Sequence, residues 1–391
     1  MKLFKSLLVA PATLGLLAPL SATANEINLV DVSGYSSSEE VLNISEFNPA
    51  KEIAVTKSRV DGLESRLNNF EAGSFSTTTS ASFGADFVIG AVDGEAAGKE
   101  ATTFTYQYGM NLSTSFTGED SLDLTIETGN SSGSGAAGIL DMNAMGDKLY
   151  VDGITYTFPV GDKTTVMVGD STDVSALYST ACTYSAFTDL LSNCGSGTAA
   201  GLGGGSDATT NGASSATMAA AYDFGNGFTL AGGLSGTGGA DAGLFTKESL
   251  DVYGIQAAYN TDSYGVSLSY ALKDTSATAE TSFVGLNAFY SFEGEGLPSI
   301  SVGYEKEDPS GATKDAHGYF VGLTWPEVGA GSFSIGMSST ANFKDADIEY
   351  YQYEAAYSYP INDGMTITPG VFIKEGVTDQ TGILVKTSFS F

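Results

Sequence analysis

The chain has 391 residues, with 49 Gly, 20 Tyr and 22 Phe against only 9 Pro, and 16% of it is charged. A mean hydropathy of +0.03 fits neither a bundle of membrane helices nor a disordered chain, and the glycine and aromatic content points to a β-rich protein with many turns. One histidine, two cysteines and a formal net charge of −30 argue against an enzyme, a nucleic-acid binder or a metal or cofactor protein; no nucleophile–base pair, phosphate loop or metal-ligand spacing is present.

Met1 to Ala24 reads as a secretory signal: Lys2 and Lys5 supply the positive end, Leu7 to Leu20 the apolar run, and Ala22-Thr23-Ala24 a small-x-small cleavage site before Asn25. Pro11 and Pro19 argue against a buried helix there, and no later run approaches the roughly 18 apolar residues of a spanning helix. Residues 25–50 are polar. From Lys51 to Ala72 the period becomes helical, with Ile53, Thr56, Val60, Leu63, Leu67 and Phe70 at the a and d positions of a heptad. The pairs Glu52 and Lys57, Arg59 and Glu64, and Arg66 and Glu71 are opposite in charge at g and the following e, which favours parallel self-association. A short coiled coil over 51–72 is therefore expected. Arg59-Val60-Asp61-Gly62-Leu63-Glu64 is similar to the Arg-apolar-x-x-apolar-Glu pattern of short trimeric coiled coils, which implies a homotrimer. The alternative is a single amphipathic helix packed beneath the following domain, and Gly62 costs either helix about 1 kcal/mol.

From residue 74 onward the period is two. The chain divides into sixteen segments: 75–90, 102–117, 120–128, 148–159, 163–170, 214–224, 227–236, 249–260, 263–272, 281–292, 298–306, 317–325, 331–340, 348–359, 364–374 and 381–391. Short turns, such as Gly118-Glu119, Gly225-Asn226, Pro326 to Ala330 and Pro360 to Asp363, alternate with longer connections rich in Gly, Asp and Ser. This predicts an all-β fold, a transmembrane antiparallel β-barrel of about 16 strands over 74–391, with turns on one side and loops on the other. Tyr319, Val321, Leu323 and Trp325 would face lipid while Phe320, Gly322 and Thr324 face the interior. The last segment alternates likewise, Ile383, Val385, Thr387, Phe389 and Phe391 against Leu384, Lys386, Ser388 and Ser390. Ending on an aromatic resembles the closing strand of outer-membrane barrels. The resemblance implies that Val385, Phe389 and Phe391 are read by the barrel assembly machinery.

The longest connection, 171–213, contains both Cys182 and Cys194, and an exported chain meets oxidising conditions, so a disulfide is expected. From residue 74 to the end there are 37 acidic residues, 10 lysines and no arginine. A wide acidic vestibule concentrates cations and repels anions. Asp170, Asp173, Asp189, Asp207 and Glu354 are the candidates for its wall, and Lys386, on the inward phase, opposes them. Each acidic loop residue reads equally well as a solvated surface charge.

Asn25-Glu-Ile-Asn-Leu-Val-Asp-Val-Ser-Gly-Tyr-Ser-Ser-Ser-Glu-Glu, Ile44-Ser45-Glu46-Phe47, the Arg59–Glu64 stretch and Phe75-Ser76-Thr77-Thr78-Thr79 resemble the mature start of cyanobacterial outer-membrane porins, grouped as iron-uptake or carbohydrate-selective porins. The surface-layer-homology domain common in those relatives is missing, since only Asn48 to Glu52 separate Phe47 from the heptads. The resemblance implies a channel whose loop between the fifth and sixth strands folds inward, with the stalk in the periplasm and outer-membrane lipid around the barrel. General porins set a ladder of arginines against that loop, and this chain lacks it. The expected function is passive diffusion of small hydrophilic solutes with a preference for inorganic cations. A carbohydrate-selective porin, with Tyr184 and Phe187 stacking on sugar, is one alternative; a structural protein with a plugged barrel is another.

Overall fold

The computed structural model describes residues 78–95, 100–195, 199–201, 215–237, 246, 250–276, 279–294, 296–310, 315–339, 343–344 and 348–391. The expected signal peptide (1–24), polar segment (25–50) and coiled coil (51–72), with Ile53, Arg59, Val60, Leu63, Glu64, Leu67 and Phe70, lie outside the described residues, as does Asp207.

The strands are β1 (Thr79–Asp93), β2 (Thr103–Thr114), β3 (Ser121–Gly129), β4 (Tyr150–Val160), β5 (Thr164–Asp170), β6 (Ser215–Asp223), β7 (Phe228–Thr237), β8 (Asp251–Asn260), β9 (Tyr264–Ser276), β10 (Ala279–Ser291), β11 (Ser299–Pro309), β12 (Ala316–Val328), β13 (Gly331–Ser339), β14 (Phe343–Lys344), β15 (Tyr351–Asn362), β16 (Met365–Lys374) and β17 (Gln380–Ser390). Each of the long strands pairs antiparallel with the next, and β14 is a two-residue addition against β12 while β13 pairs β15 directly. The sheet closes because β17 pairs β1 from Gly84↔Ser390 to Asp93↔Thr381. At that seam Phe83 and Phe391 exchange backbone hydrogen bonds of 2.7 and 3.0 Å, and their rings stack at 5.6 Å. Closure leaves no edge strand whose N–H and C=O groups lack partners. The result is a closed, all-β, antiparallel barrel of sixteen wall strands. Among the described residues no helix is long and apolar enough to cross a membrane.

Side chains obey the period of two. Val302, Val321, Ile335, Val371 and Ile383 are exposed on one face, while Ser301, Phe320, Ser334, Phe372 and Leu384 on the other are buried. Large apolar side chains each gain about 1.5–3 kcal/mol on leaving water. A band of them on nearly every strand is a surface built for an apolar surrounding.

The sixteen expected segments coincide with the sixteen wall strands to within a few residues. Three local differences have physical causes. Pro326 and Pro360, expected in turns, sit inside β12 and β15 at register shifts, because a residue without an N–H displaces the ladder there without ending it. β9 and β10 run beyond the expected apolar stretch, so their connection shrinks to 277–278 instead of a longer loop. The β3–β4 connection contains a helix, α1 (Gly135–Ile139), where only a polar loop was expected. The short turns use glycine where the chain must reverse: in β6–β7, Gly225 and Gly227 take φ of 83° and 84°, and Asp223 accepts the Gly225 N–H at 2.7 Å.

Candidate functional site

The connection after β5 leaves the wall at Ser171 and passes through a 3-10 turn, Val174–Leu177. Val174 is buried with Ala199, Val252, Ala271 and Phe283, and this apolar contact seats the loop against β8 to β10. Beyond it the chain is extended and alternates its backbone donors. The N–H groups of Ser179, Ala181, Thr183, Ser185 and Phe187 donate in turn to Gln256 on β8 (2.8 Å), Ser267 on β9 (3.0 Å), Ser301 on β11 (3.0 Å), Thr324 on β12 (3.2 Å) and Glu354 on β15 (2.8 Å). An extended segment has a period of two, so every second N–H meets the wall. Eight residue steps reach about 26 Å, whereas six strand spacings from β8 to β15 measure about 29 Å along the sheet. Only the inner, chordwise side offers the shorter path.

The loop turns back in a second 3-10 turn, Asp189–Gly195. On the return the Leu190 carbonyl accepts from Gln352 (2.5 Å), the Cys194 carbonyl from Asn287 (3.1 Å), and the Ala199 N–H donates to Glu305 (2.6 Å). The expected Cys182–Cys194 disulfide is present and joins the outgoing and returning limbs. The wall is cut to fit them: a Cβ on Gly303, Gly322 or Gly370 would run into the Cys194 carbonyl, the Tyr184 ring or the Phe187 ring.

Glu354 is the centre of this docking. It is 2% exposed. One oxygen accepts the Tyr184 hydroxyl and the Phe187 N–H, both at 2.8 Å, and the other accepts the Thr188 N–H at 2.8 Å and its Oγ1 at 2.5 Å. Burial, followed by the Glu354 charge, pushes the Tyr184 phenol far above its ordinary pKa, so it remains a donor. Glu354 has the expected inward phase, but the loop covers it; a carboxylate ringed by donors and sealed from solvent is an anchor, and this replaces its expected place on the open wall.

The other expected residues are dispersed. Asp170 ends β5 opposite Ile154 and Ala216, on the phase of exposed Val168 and Met218, so it belongs to the outer face and corrects the expected inward placement. Asp173 is exposed and acts electrostatically on Asp152. Asp189 is exposed, and its charge is felt by Asp141 of the β3–β4 connection, whose carboxyl is pushed up by partial burial and then by the Asp189 charge. Lys386 is half-buried on the inner phase, opposite Val88 and Thr368. Val385, Phe389 and Phe391 take the outer phase. Tyr184 packs edge-on to Phe320 at 5.1 Å and Phe187 is buried against β16, so the wall takes up both rings.

Sequence reasoning missed the anchors Gln256, Ser267, Asn287, Ser301 and Glu305, although an isolated amide inside an apolar strand, such as Gln256 in Ile255-Gln256-Ala257, was a usable sign. It also missed the β3–β4 connection. Ala136, Ala137, Ile139 and Met142 are buried there against Val88, Val92, Phe372, Leu384 and Phe187, and Leu140 and Leu190 pack alongside.

No family model matches the chain. The Nostoc sp. protein alr4550, described as uncharacterized, is 25% identical over 381 residues, covering 82% of this chain and 65% of the Nostoc protein. The chain thus spans less than two thirds of that relative's length. Among solved structures, two mutants of the porin of Rhodopseudomonas blastica align with a TM-score of 0.53 and 16% identity, over 80% of this chain and 100% of theirs. An engineered protein described for asymmetric conductivity aligns equally well, with a TM-score of 0.53 at 16% identity. At that identity the likeness is one of fold.

Proposed function

We propose that the chain is an outer-membrane porin, a passive diffusion channel for small hydrophilic solutes that prefers inorganic cations. The observation that carries this reading is the docking of residues 178–188 crosswise along the inner wall, five N–H groups on five strands, which makes the long loop a fixed constriction. The apolar outer face suits lipid, and the acidic loops, with the Asp189 charge acting on Asp141 and no arginine after residue 66, favour cations. Asp173 and Asp189 are the loop carboxylates open to passing ions. In the same reading residues 1–24 direct export, 51–72 form a periplasmic trimeric stalk, and the closing strand engages the assembly machinery.

The sugar-selective alternative draws less support, since Tyr184 and Phe187 spend their rings on the wall. The plugged-barrel alternative is favoured by the apolar contact of the two loops inside the lumen. The deciding experiment is conductance and reversal potential in a planar bilayer under a KCl gradient, with Asp173→Asn and Asp189→Asn as variants. Conductance in steps of three, with a cation-selective potential that falls in the variants, supports the channel. A folded barrel that passes no current leaves the structural role.

A further inference from the structure

The β3–β4 connection has a role that the long loop alone does not account for. Its apolar residues Ile139 and Met142 are buried in one cluster with Phe187 of the long loop and with Val88, Leu384 and Phe372 of β1, β17 and β16. Polar ties hold it from the other side. Asn143 makes three of them: its N–H donates to Gln107 on β2 at 3.1 Å, its Nδ2 to Glu127 on β3 at 2.7 Å, and its carbonyl accepts the Ser131 N–H at 3.2 Å. The two loops therefore share a seam inside the barrel, each also fastened to its own part of the wall.

Exposure along the inner phase shows what this leaves open. Gln256, Asn287, Ser301 and Gln352, beneath the long loop, are buried, whereas Asn111, Thr125 and Thr155 on β2, β3 and β4 are half-exposed. We propose that the β3–β4 connection is a second constricting element, clasped to the long loop, that closes the lumen under β16, β17 and β1 and confines solute to the inner faces of β2 to β4. This rests on the channel reading. It assigns the size limit of the passage to two loops acting together, with the seam of Ile139 and Met142 on Phe187 as the part that holds the limit.

The test uses the full-length protein carrying Ile139→Ser with Met142→Ser, and separately Asn143→Ala, which cuts the side-chain tie to Glu127 and leaves the seam and the backbone ties to Gln107 and Ser131. Hydrogen exchange across residues 131–147 reports seating independently of current; conductance and exclusion of neutral polyethylene glycols of graded size report the passage. The expected result is slow exchange of the Ser131, Met142 and Asn143 amides in the parent, lost in the seam variant, with a larger conductance and a larger permeating polymer. Current appearing only in the variants overturns the open-channel reading while supporting the loop as the occluding element. Fast exchange in the parent, or an unseated loop with unchanged conductance and cut-off, overturns the proposal.

Discussion

Thr188 gives both its N–H, at 2.8 Å, and its Oγ1, at 2.5 Å, to one oxygen of Glu354, and both residues are buried. A loop residue and a wall residue 166 positions apart thereby form a clamp. Hydrogen bonds to a charged acceptor contribute about 1.5–3 kcal/mol each. Glu354→Gln keeps an acceptor for Tyr184 and Phe187 but turns an amide N–H₂ toward the Thr188 donors, so part of the clamp is lost; Glu354→Ala removes all of it. Current noise and hydrogen exchange of residues 184–188 should rise from parent to Gln to Ala. The reversal potential should stay put, because the covered carboxylate faces no passing ion. A shift equal to that of Asp189→Asn would return Glu354 to the open wall.

The Cys182–Cys194 bond closes a ring of separation 12, and a cross-link of that length contributes about 3 kcal/mol through the unfolded chain. Both limbs also hold the wall separately, the outgoing one by Ala181 and Thr183, the returning one through Asn287 on the Cys194 carbonyl. Cys182→Ser with Cys194→Ser should therefore leave mean conductance nearly unchanged while lowering the temperature at which the loop becomes protease-sensitive. A large change in mean conductance at room temperature would show that the bond itself sets the constriction.

These two cases show what a sequence does and does not disclose. Strand phase is a local property, and alternation placed Tyr319 and Val321 outside, Phe320 and Gly322 inside, and Glu354 inward. The same parity applied to Val168 puts Asp170 outside, a step that treating it as part of the loop passed over. The role of Glu354 depends on Thr188, and the burial of Ile139 on a cluster that also takes in Phe187, Val88 and Leu384; such partners are far apart in the chain, and composition carries no trace of them. The apolar residues of Ala136-Ala137-Gly138-Ile139-Leu140 were visible, but five residues of helix in a Gly/Ser-rich loop give too short a period to declare a buried face.

Closure predicts a graded loss at the last residue. Phe391 is 72% exposed, yet its ring stacks on Phe83 and its backbone pairs with the same residue. Phe391→Ala keeps the backbone pair and removes the ring contact, worth about 0.5–1.5 kcal/mol beyond its area. The urea midpoint of the barrel in lipid should fall modestly, and deletion of Phe391 should lower it further. Equal midpoints for Phe391→Ala and the deletion would make the backbone pair dispensable.

The β2–β3 turn carries a pH dependence of known sign. Asp120 accepts the Thr117 N–H at 2.7 Å, the Tyr156 hydroxyl at 2.7 Å and the hydroxyls of Thr117 and Ser115, both at 2.8 Å. The backbone bond from Thr117, with those hydroxyls, holds its carboxyl well below the usual range. An acid with a lowered folded pKa stabilises above its unfolded value, about 3.9, and loses that contribution as pH falls through the folded value. Asp120→Asn should lower the unfolding midpoint at neutral pH, and the gap between variant and parent should close below about pH 4. A constant gap across that range would mean the charge is not what matters.

Asp141 titrates in the opposite sense. Partial burial, then the Asp189 charge, raises its carboxyl above the ordinary range, so on acidification it takes up its proton before an unperturbed aspartate does. Its charged form is the strained one, and folding gains stability as pH falls through the raised value. In the proposed cation-preferring channel one of these two charges is lost at that point, so the preference should begin to fall at a pH above about 3.9, ahead of ordinary carboxylates. Asp189→Asn removes the like charge but not the burial, so Asp141 should then titrate at lower pH while staying above the ordinary value. Reversal potential measured from pH 7 down to pH 3 in parent, Asp189→Asn and Asp141→Asn reads all three. A parent whose selectivity falls only at the ordinary carboxylate pH, or an Asp189→Asn profile identical in midpoint to the parent's, would show that the two loops do not bring these charges together.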